Sequence, residues 1–351
     1  MEGTIDVLNV GDGDAIIVTL KKESENLVVV IDGGEASHYH STVKPKLVPI
    51  LEKNGKSAPD IVVATHYDSD HIGGLIPLID DYIDNIKEVW VHHSSKLVNE
   101  ALTFKNSSEE LNHLKITDEL LLDSSFMSFN KHVQEVAIID KRNLLIESIN
   151  QLDTFVRKIP PHKLRQAFAG YFYPGWPEMK VLGPTEEYYN SLFPDSHPLE
   201  KLLLEEIVDI KMEGIVNFER FVALSSYLDN PCQFLKTDLN AKLTPTNKAS
   251  IIISIDNITD RYLFTGDAGI CSFKNIPDWE KELKDIYWLK IPHHGSDNNI
   301  STEIINIMKP KFADNSGNKY EDTHVLACIG RNPRSENVRS TKINNDLYTK
   351  I

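Results

Sequence analysis

Six consecutive residues carry four groups able to bind or move charge. They are His66, Asp68, Asp70 and His71, set in Val63-Ala64-Thr65-His66-Tyr67-Asp68-Ser69-Asp70-His71-Ile72-Gly73-Gly74. Two carboxylates held this close repel each other unless a cation lies between them, so the spacing points to a divalent metal. The plainer reading is a polar loop whose aspartates cap the next helix. Two later stretches carry groups of the same kind. Asp267 ends the apolar run into Phe264-Thr265-Gly266-Asp267, and His293-His294 stand in Trp288-Leu289-Lys290-Ile291-Pro292-His293-His294-Gly295-Ser296. Imidazole and carboxylate without thiolate form an intermediate-to-hard ligand set suited to Zn²⁺ or Mn²⁺. The extra carboxylate at Asp68 favours Mn²⁺. The chemistry such groups support is hydrolysis by a water made acidic near neutral pH, with a carboxylate to move its proton.

The elements that must position these residues are legible in outline. Ile5–Leu8 and Ala15–Val18 are apolar runs around Gly11-Asp12-Gly13-Asp14, a hairpin pattern, and a third run from Leu27 to Ile31 leads into Asp32-Gly33-Gly34. Val43 to Asn54 has helical spacing and ends in Asn54-Gly55, a C-cap pair. Ile61–Ala64 reads as a buried strand before the His/Asp turn. A helix follows over 74–83, then a strand at Val89-Trp90-Val91 with His92 and His93 at its end. Strands alternating with helices predict an α/β layered domain. Residues 94–176 depart from this rhythm with a mostly helical pattern, and read as an inserted subdomain beside the active site or as an oligomerisation arm. Lys180–Pro184, Ile251–Ile255 and Arg261–Phe264 return to strands. A helical stretch is expected over 199–227, a helix from Ser301, and a late strand over 324–330.

These motifs together resemble the metallo-β-lactamase superfamily, and within it the hydrolase domain of bacterial competence (DNA-uptake) channel proteins. The His66-to-His71 pattern is similar to the superfamily's H-x-H-x-D-H, with Asp68 in place of its second histidine. The Gly/Asp hairpin, the Asp32-Gly33-Gly34 turn, Leu182-Gly183-Pro184, Asn247-Lys248-Ala249-Ser250, Phe264–Asp267 and Leu289–Ser296 stand in the order of the competence-type domain. The resemblance implies a four-layer αββα fold over 1–93 and 177–351, with 94–176 as the helical insert.

It also implies a site. One ion would be held by Asp70, His71, Asp267 and His294, and a second by His66, Asp68 and the bridging Asp267, giving two Zn²⁺ or Mn²⁺ ions per chain. Asp68 or Asp70 is the candidate base, and His293 a candidate proton donor to the leaving oxygen. The superfamily's third-motif histidine has no clear counterpart. Gly183 stands near that place, with His92 and His93 as remote substitutes. Asn332–Asn337 lacks the family's late His-Pro. The substrate implied is a phosphodiester, as single-stranded nucleic acid, oligonucleotide or small molecule. The rival readings are a lactone- or lactam-type hydrolase and a non-catalytic component of a multi-protein system.

Composition narrows the classes further. A chain of 351 residues can bury a full core, and 41% hydrophobic with 25% charged residues is a globular balance. Asp plus Glu number 52 against 37 Lys plus Arg, an excess that disfavours nonspecific gripping of duplex phosphates. Arg157, Lys158, Lys163 and Arg165 form one local basic strip, which reads better as a wet helix face. Cys232, Cys271 and Cys328 lie far apart with no C-x-x-C pair, against a disulfide framework or thiolate zinc cluster. With no long apolar span and no leader pattern at the start, a cytoplasmic setting is expected.

Overall fold

The computed structural model describes residues 1–11, 13–22, 25–93, 146–193, 243–258, 260–296 and 298–314, together with the backbone of 338–343. Alternation of side chains along short apolar strands builds two sheets. The first has the order β13-β1-β2-β3-β4-β5-β6, from β1 (Glu2–Leu8), β2 (Ala15–Lys22), β3 (Glu25–Gly33), β4 (Ile61–Val63), β5 (Glu88–Trp90), β6 (Leu164–Arg165) and β13 (Val338–Ile343). The expected hairpin is present, with Ile5 opposite Val18 in antiparallel register. From β3 to β6 the pairing is parallel. The second sheet has the order β12-β11-β10-β9-β8-β7, from β7 (Phe172–Tyr173), β8 (Trp176–Gly183), β9 (Ile252–Asn257), β10 (Asp260–Phe264), β11 (Trp288–Lys290) and β12 (Phe312–Asp314).

Each strand sends alternate residues into different cores, as the two-residue period of a strand requires. Ile16 and Val18, Val29 and Ile31, and Ile61 and Val63 from the first sheet meet Met179, Val181, Ile253, Ile255, Tyr262, Phe264 and Trp288 from the second. The alternate residues Ile17, Val30, Val62 and Val89 pack on helices α2 (Lys44–Lys53) and α4 (Leu75–Tyr82) and on the helical residues 146–157. On the far face of the second sheet, Ile252, Leu263 and Leu289 pack on helices Ile270–Lys274 and Thr302–Met308. Each such Val, Ile or Leu, fully buried, contributes roughly 1.5–3 kcal/mol.

Local signals behave as their chemistry dictates. Asn54 closes α2 through its side-chain amide, which donates to the Ile50 carbonyl at 2.8 Å, and Gly55 takes the left-handed conformation. Ser301 caps Thr302–Met308 by accepting from the Ile304 amide at 3.3 Å. Within the span read as an insert, 146–157 is helical, whereas 164–165 and 172–173 pair with β5 and β8 of the main sheets. Residues 94–145, the helical stretch over 199–227, the late strand over 324–330 and the segment Asn332–Asn337 lie outside the described residues.

The basic strip is paired within the fold. Arg157 meets Asp153 at 2.7 Å, Lys158 meets Asp80 at 2.5 Å, and Arg165 meets Glu88 at 3.4 Å. Lys163 donates to the Ile83 and Asp84 carbonyls. Among the described residues no helix is long and apolar enough to cross a membrane.

Candidate metal centre

The site gathers where strands of both sheets end. His66 to His71 follow β4, Asp267 follows β10, and His293-His294 follow β11. The sheets are joined there by the Ile251 amide, which donates to the Thr65 carbonyl at 2.8 Å, and by the His293 amide, which donates to the Gly266 carbonyl at 3.3 Å. The hairpin turn is pressed onto this point. A Cβ on Gly13 would lie 1.8 Å from the Asp70 carbonyl oxygen, so only glycine lets the turn approach so closely.

Asp267 Oδ2 is the geometric centre. The Nε2 atoms of His66, His71, His293 and His294 lie 3.8, 3.5, 3.8 and 3.9 Å from it. Asp68 Oδ2 stands 3.6 Å from His66 Nε2, and Asp70 Oδ2 4.0 Å from His71 Nε2. Asp68 occupies the N-cap position of α3 (Ser69–Ile72), yet its side chain makes no capping bond. The capping explanation therefore fails for Asp68, whose carboxylate faces His66 instead.

Each imidazole is turned by a partner on its other nitrogen. Asp32, fully buried in the turn after β3, accepts from the Thr65 amide at 2.8 Å, the Thr65 hydroxyl at 2.6 Å and His71 Nδ1 at 2.9 Å. Since Thr65 gives its hydroxyl proton to Asp32, its oxygen accepts from His66 Nδ1 at 3.1 Å. His294 Nδ1 faces Asp14 Oδ1 at 3.7 Å, and Asp14 is itself paired with the buried Lys290 ammonium. The Ser250 hydroxyl oxygen accepts from the Asp267 amide at 3.1 Å and lies 3.4 Å from His66 Nδ1. This arrangement of carboxylate or hydroxyl behind imidazole is how metal-binding histidines are aimed.

These residues fit a metal. His66 Nε2, His71 Nε2 and Asp267 Oδ1 are buried with no hydrogen-bond partner among the described residues. Polar atoms in that state destabilise a fold unless something binds them. Two ligand atoms on one zinc ion at tetrahedral angles are roughly 3.3–3.5 Å apart, close to the spacings around Asp267. The His66, His71, Asp267 group and the Asp70, His71, His294 group each bring their ligand atoms within 4.8 Å of one another.

Electrostatics agree. Burial pushes His71 down, but Asp267, Asp70 and Asp32 outweigh it and hold the imidazole well above its ordinary pKa. Burial pushes Asp267 up, but His71, His293 and His294 outweigh it and hold the carboxyl well below its ordinary value. A proton on His71 thus occupies ground that a cation would take, and metal binding is expected to release it. Burial drives His294 well below the usual imidazole value, leaving it neutral and ready to ligate.

The remote substitutes for a third-motif histidine do not join these groups. Gly183, at the end of β8, lies against Ile276 and Ile252. His92 donates from Nε2 to the Ala167 carbonyl at 3.0 Å and stacks on Phe168 with ring centroids 4.4 Å apart. Burial lowers the His92 pKa from 6.5 to about 4. With the folded value depressed, stability is complete above the unfolded value of about 6.5 and is lost as pH falls through 4, to a limit of about 3 kcal/mol. In urea unfolding between pH 7 and pH 4, His92→Phe is expected to lose about that much less than the wild type. Parallel pH slopes would contradict it.

Asp32, Thr65, Ser250 and Asn299 were not singled out as site residues by sequence reading. Asp32, Thr65 and Ser250 lie inside the motifs that carry the candidate ligands, which is the signal that marks them. Asn299 carries no comparable mark.

Residues 8–130 match the family profile described as Metallo-beta-lactamase superfamily. Over those residues the chain is similar to that superfamily. Its members are generally hydrolytic metalloenzymes, and the fold typically binds divalent metals, often zinc. No curated protein matches the chain. The matched residues hold β2 to β5 and the whole His66-to-His71 turn. Asp267 and the His293-His294 pair lie beyond the match, and geometry alone brings them to the same point.

Proposed function

We propose that this chain is a metal-dependent phosphodiesterase or nuclease that uses two divalent ions held around Asp267. The observation that carries the metal centre is the convergence of four imidazole nitrogens on one carboxylate oxygen within 3.9 Å. Asp70, His71, Asp267 and His294 would hold one ion, and His66 with Asp68 and Asp267 the other. Bound there, such ions would polarise a phosphoryl oxygen and bring the pKa of water near neutrality.

The chain's own residues supply the rest. Asp32, Thr65, Ser250 and Asp14 fix the rings behind the ligands. Asp68 is partly exposed, and although burial pushes its carboxyl up, His66 and His71 hold it below the ordinary value. It therefore stays ionised and is placed to take a proton from the attacking water. The phosphodiester class rests on the resemblance to the competence-type domain, whose N-x-x-S, F-T-G-D and P-H-H-G-S landmarks all border this one site. The acidic composition favours single strands or small phosphodiesters over duplex. In the same reading, the two sheets and their outer helices form the αββα layers.

The test is turnover of bis-p-nitrophenyl phosphate by metal-depleted protein given Mn²⁺ or Zn²⁺. Wild type is expected to turn over only with metal, and Asp70→Ala and His71→Ala each to fall by about a hundredfold or more. Turnover of esters or lactones with no phosphodiester cleavage would replace the substrate class. Bound metal with no turnover of either kind would point to a non-catalytic component.

A further inference from the structure

We infer that His293 is a metal ligand, supplying the coordination that the end of β8 does not provide at Gly183. The inference rests on the metal-centre reading above and names one more residue of that site. Four observations carry it. His293 Nδ1 is 3.0 Å from Asn299 Oδ1, and Asn299 is fully buried. The Asn299 amide nitrogen donates to the Asp267 carbonyl at 2.8 Å and the Ala268 carbonyl at 3.3 Å, which fixes the amide's orientation. Its oxygen must therefore be the atom facing His293, and it can only accept, so Nδ1 carries a proton and Nε2 is the ring nitrogen left to face the site. It points to Asp267 Oδ2 at 3.8 Å, near the separation of two ligand atoms on one ion.

The same approach to Asp267 Oδ2 is made by Nε2 of His66, His71 and His294, so His293 stands in the pattern of the other candidate ligands, with its second nitrogen held from behind by Asn299. The backbone supports the same reading. His293 and His294 both have positive φ, 45° and 52°, in a short turn after β11. Non-glycine residues in that region carry strain that the surrounding structure must hold in place, and such strain gathers at functional sites. Here it turns two adjacent rings toward the same carboxylate, where an extended backbone would send them to opposite sides. Unlike the buried rings of His66, His71 and His294, His293 is 36% exposed in its side chain and lies on the solvent side of the Asp267 group.

This replaces the proton-donor role expected for His293 from its position. An Nε2 atom that binds an ion carries no proton to give to a leaving oxygen.

The test uses the full chain, depleted of metal and titrated with Mn²⁺ by calorimetry, with ¹¹³Cd²⁺ as a probe in ¹⁵N NMR of the imidazoles. Wild type is expected to show ¹¹³Cd coupling to a His293 Nε2 resonance, assigned by its loss in His293→Gln. His293→Gln is expected to lose one binding step or to weaken it about a hundredfold. Asn299→Leu, which removes the acceptor behind Nδ1, should weaken the same step. Both ions bound with unchanged affinity by His293→Gln, with no coupling at His293 in wild type, would overturn the inference while leaving the metal centre intact. Failure of wild type to bind any ion would overturn the metal centre and this ligand with it.

Discussion

Replacing Asp267 with asparagine is expected to remove metal-dependent hydrolysis by at least roughly a thousandfold while leaving the metal-free fold in place. Asparagine keeps the shape, but it removes the one negative charge that four imidazoles face at 3.5–3.9 Å. A neutral amide cannot bridge two cations, so both binding steps should suffer together. Thermal melting gives a reading independent of activity. At a metal concentration a hundred times the dissociation constant, binding stabilises the native state by about 2.7 kcal/mol. In wild type that corresponds to a rise of about 5 °C or more, and in Asp267→Asn the rise should vanish. An Asp267→Asn protein that still melts higher with metal would show that the carboxylate is not a ligand.

Asp32→Asn is expected to act through geometry rather than charge at the metal. Asp32 accepts three hydrogen bonds, from the Thr65 amide, the Thr65 hydroxyl and His71 Nδ1. An asparagine in its place must turn a donor toward at least one of these donors. The least disruptive response is for His71 to give up its Nδ1 proton and keep one on Nε2, which then points a hydrogen at Asp267. Metal affinity should drop by about 10- to 100-fold. Stability should drop by about 3 kcal/mol, since a buried donor loses its acceptor. The positive φ of Asp32, 55°, is tolerated by asparagine, so backbone strain does not confound the comparison. An unchanged metal affinity in Asp32→Asn would mean that Asp32 only braces the turn.

What was legible in the sequence follows from how local each signal is. The strands bearing Ile16 and Ile17, Val29 and Val30, and Val62 and Val63 alternate between two cores, and their apolar runs announced them. The Asn54-Gly55 stop of α2 and the Ser301 cap are chemistry of neighbouring residues, so they could be read directly. The His66-to-His71 turn announced a cation because it compresses two carboxylates into one loop.

The second layer could not be read in the same way. Thr65 and Asn299 matter through partners far along the chain. Asn299 holds His293 only because its amide is anchored on the Asp267 and Ala268 carbonyls. A sequence shows the residue types of such a network but not which nitrogen of His293 is occupied, and that atom decides between ligand and proton donor. The two-strand return of 164–165 and 172–173 into the main sheets was likewise hidden, because pairs this short carry no periodicity of their own.

The most direct test of the metal centre is anomalous diffraction from crystals grown with Mn²⁺ and, separately, Zn²⁺, with data collected at each metal's absorption edge. The account predicts anomalous peaks flanking the Asp267 carboxylate, bounded by His66 and Asp68 on one side and by Asp70, His71 and His294 on the other. Crystals that diffract well in saturating metal and show no anomalous peak within coordination distance of Asp267 would contradict it.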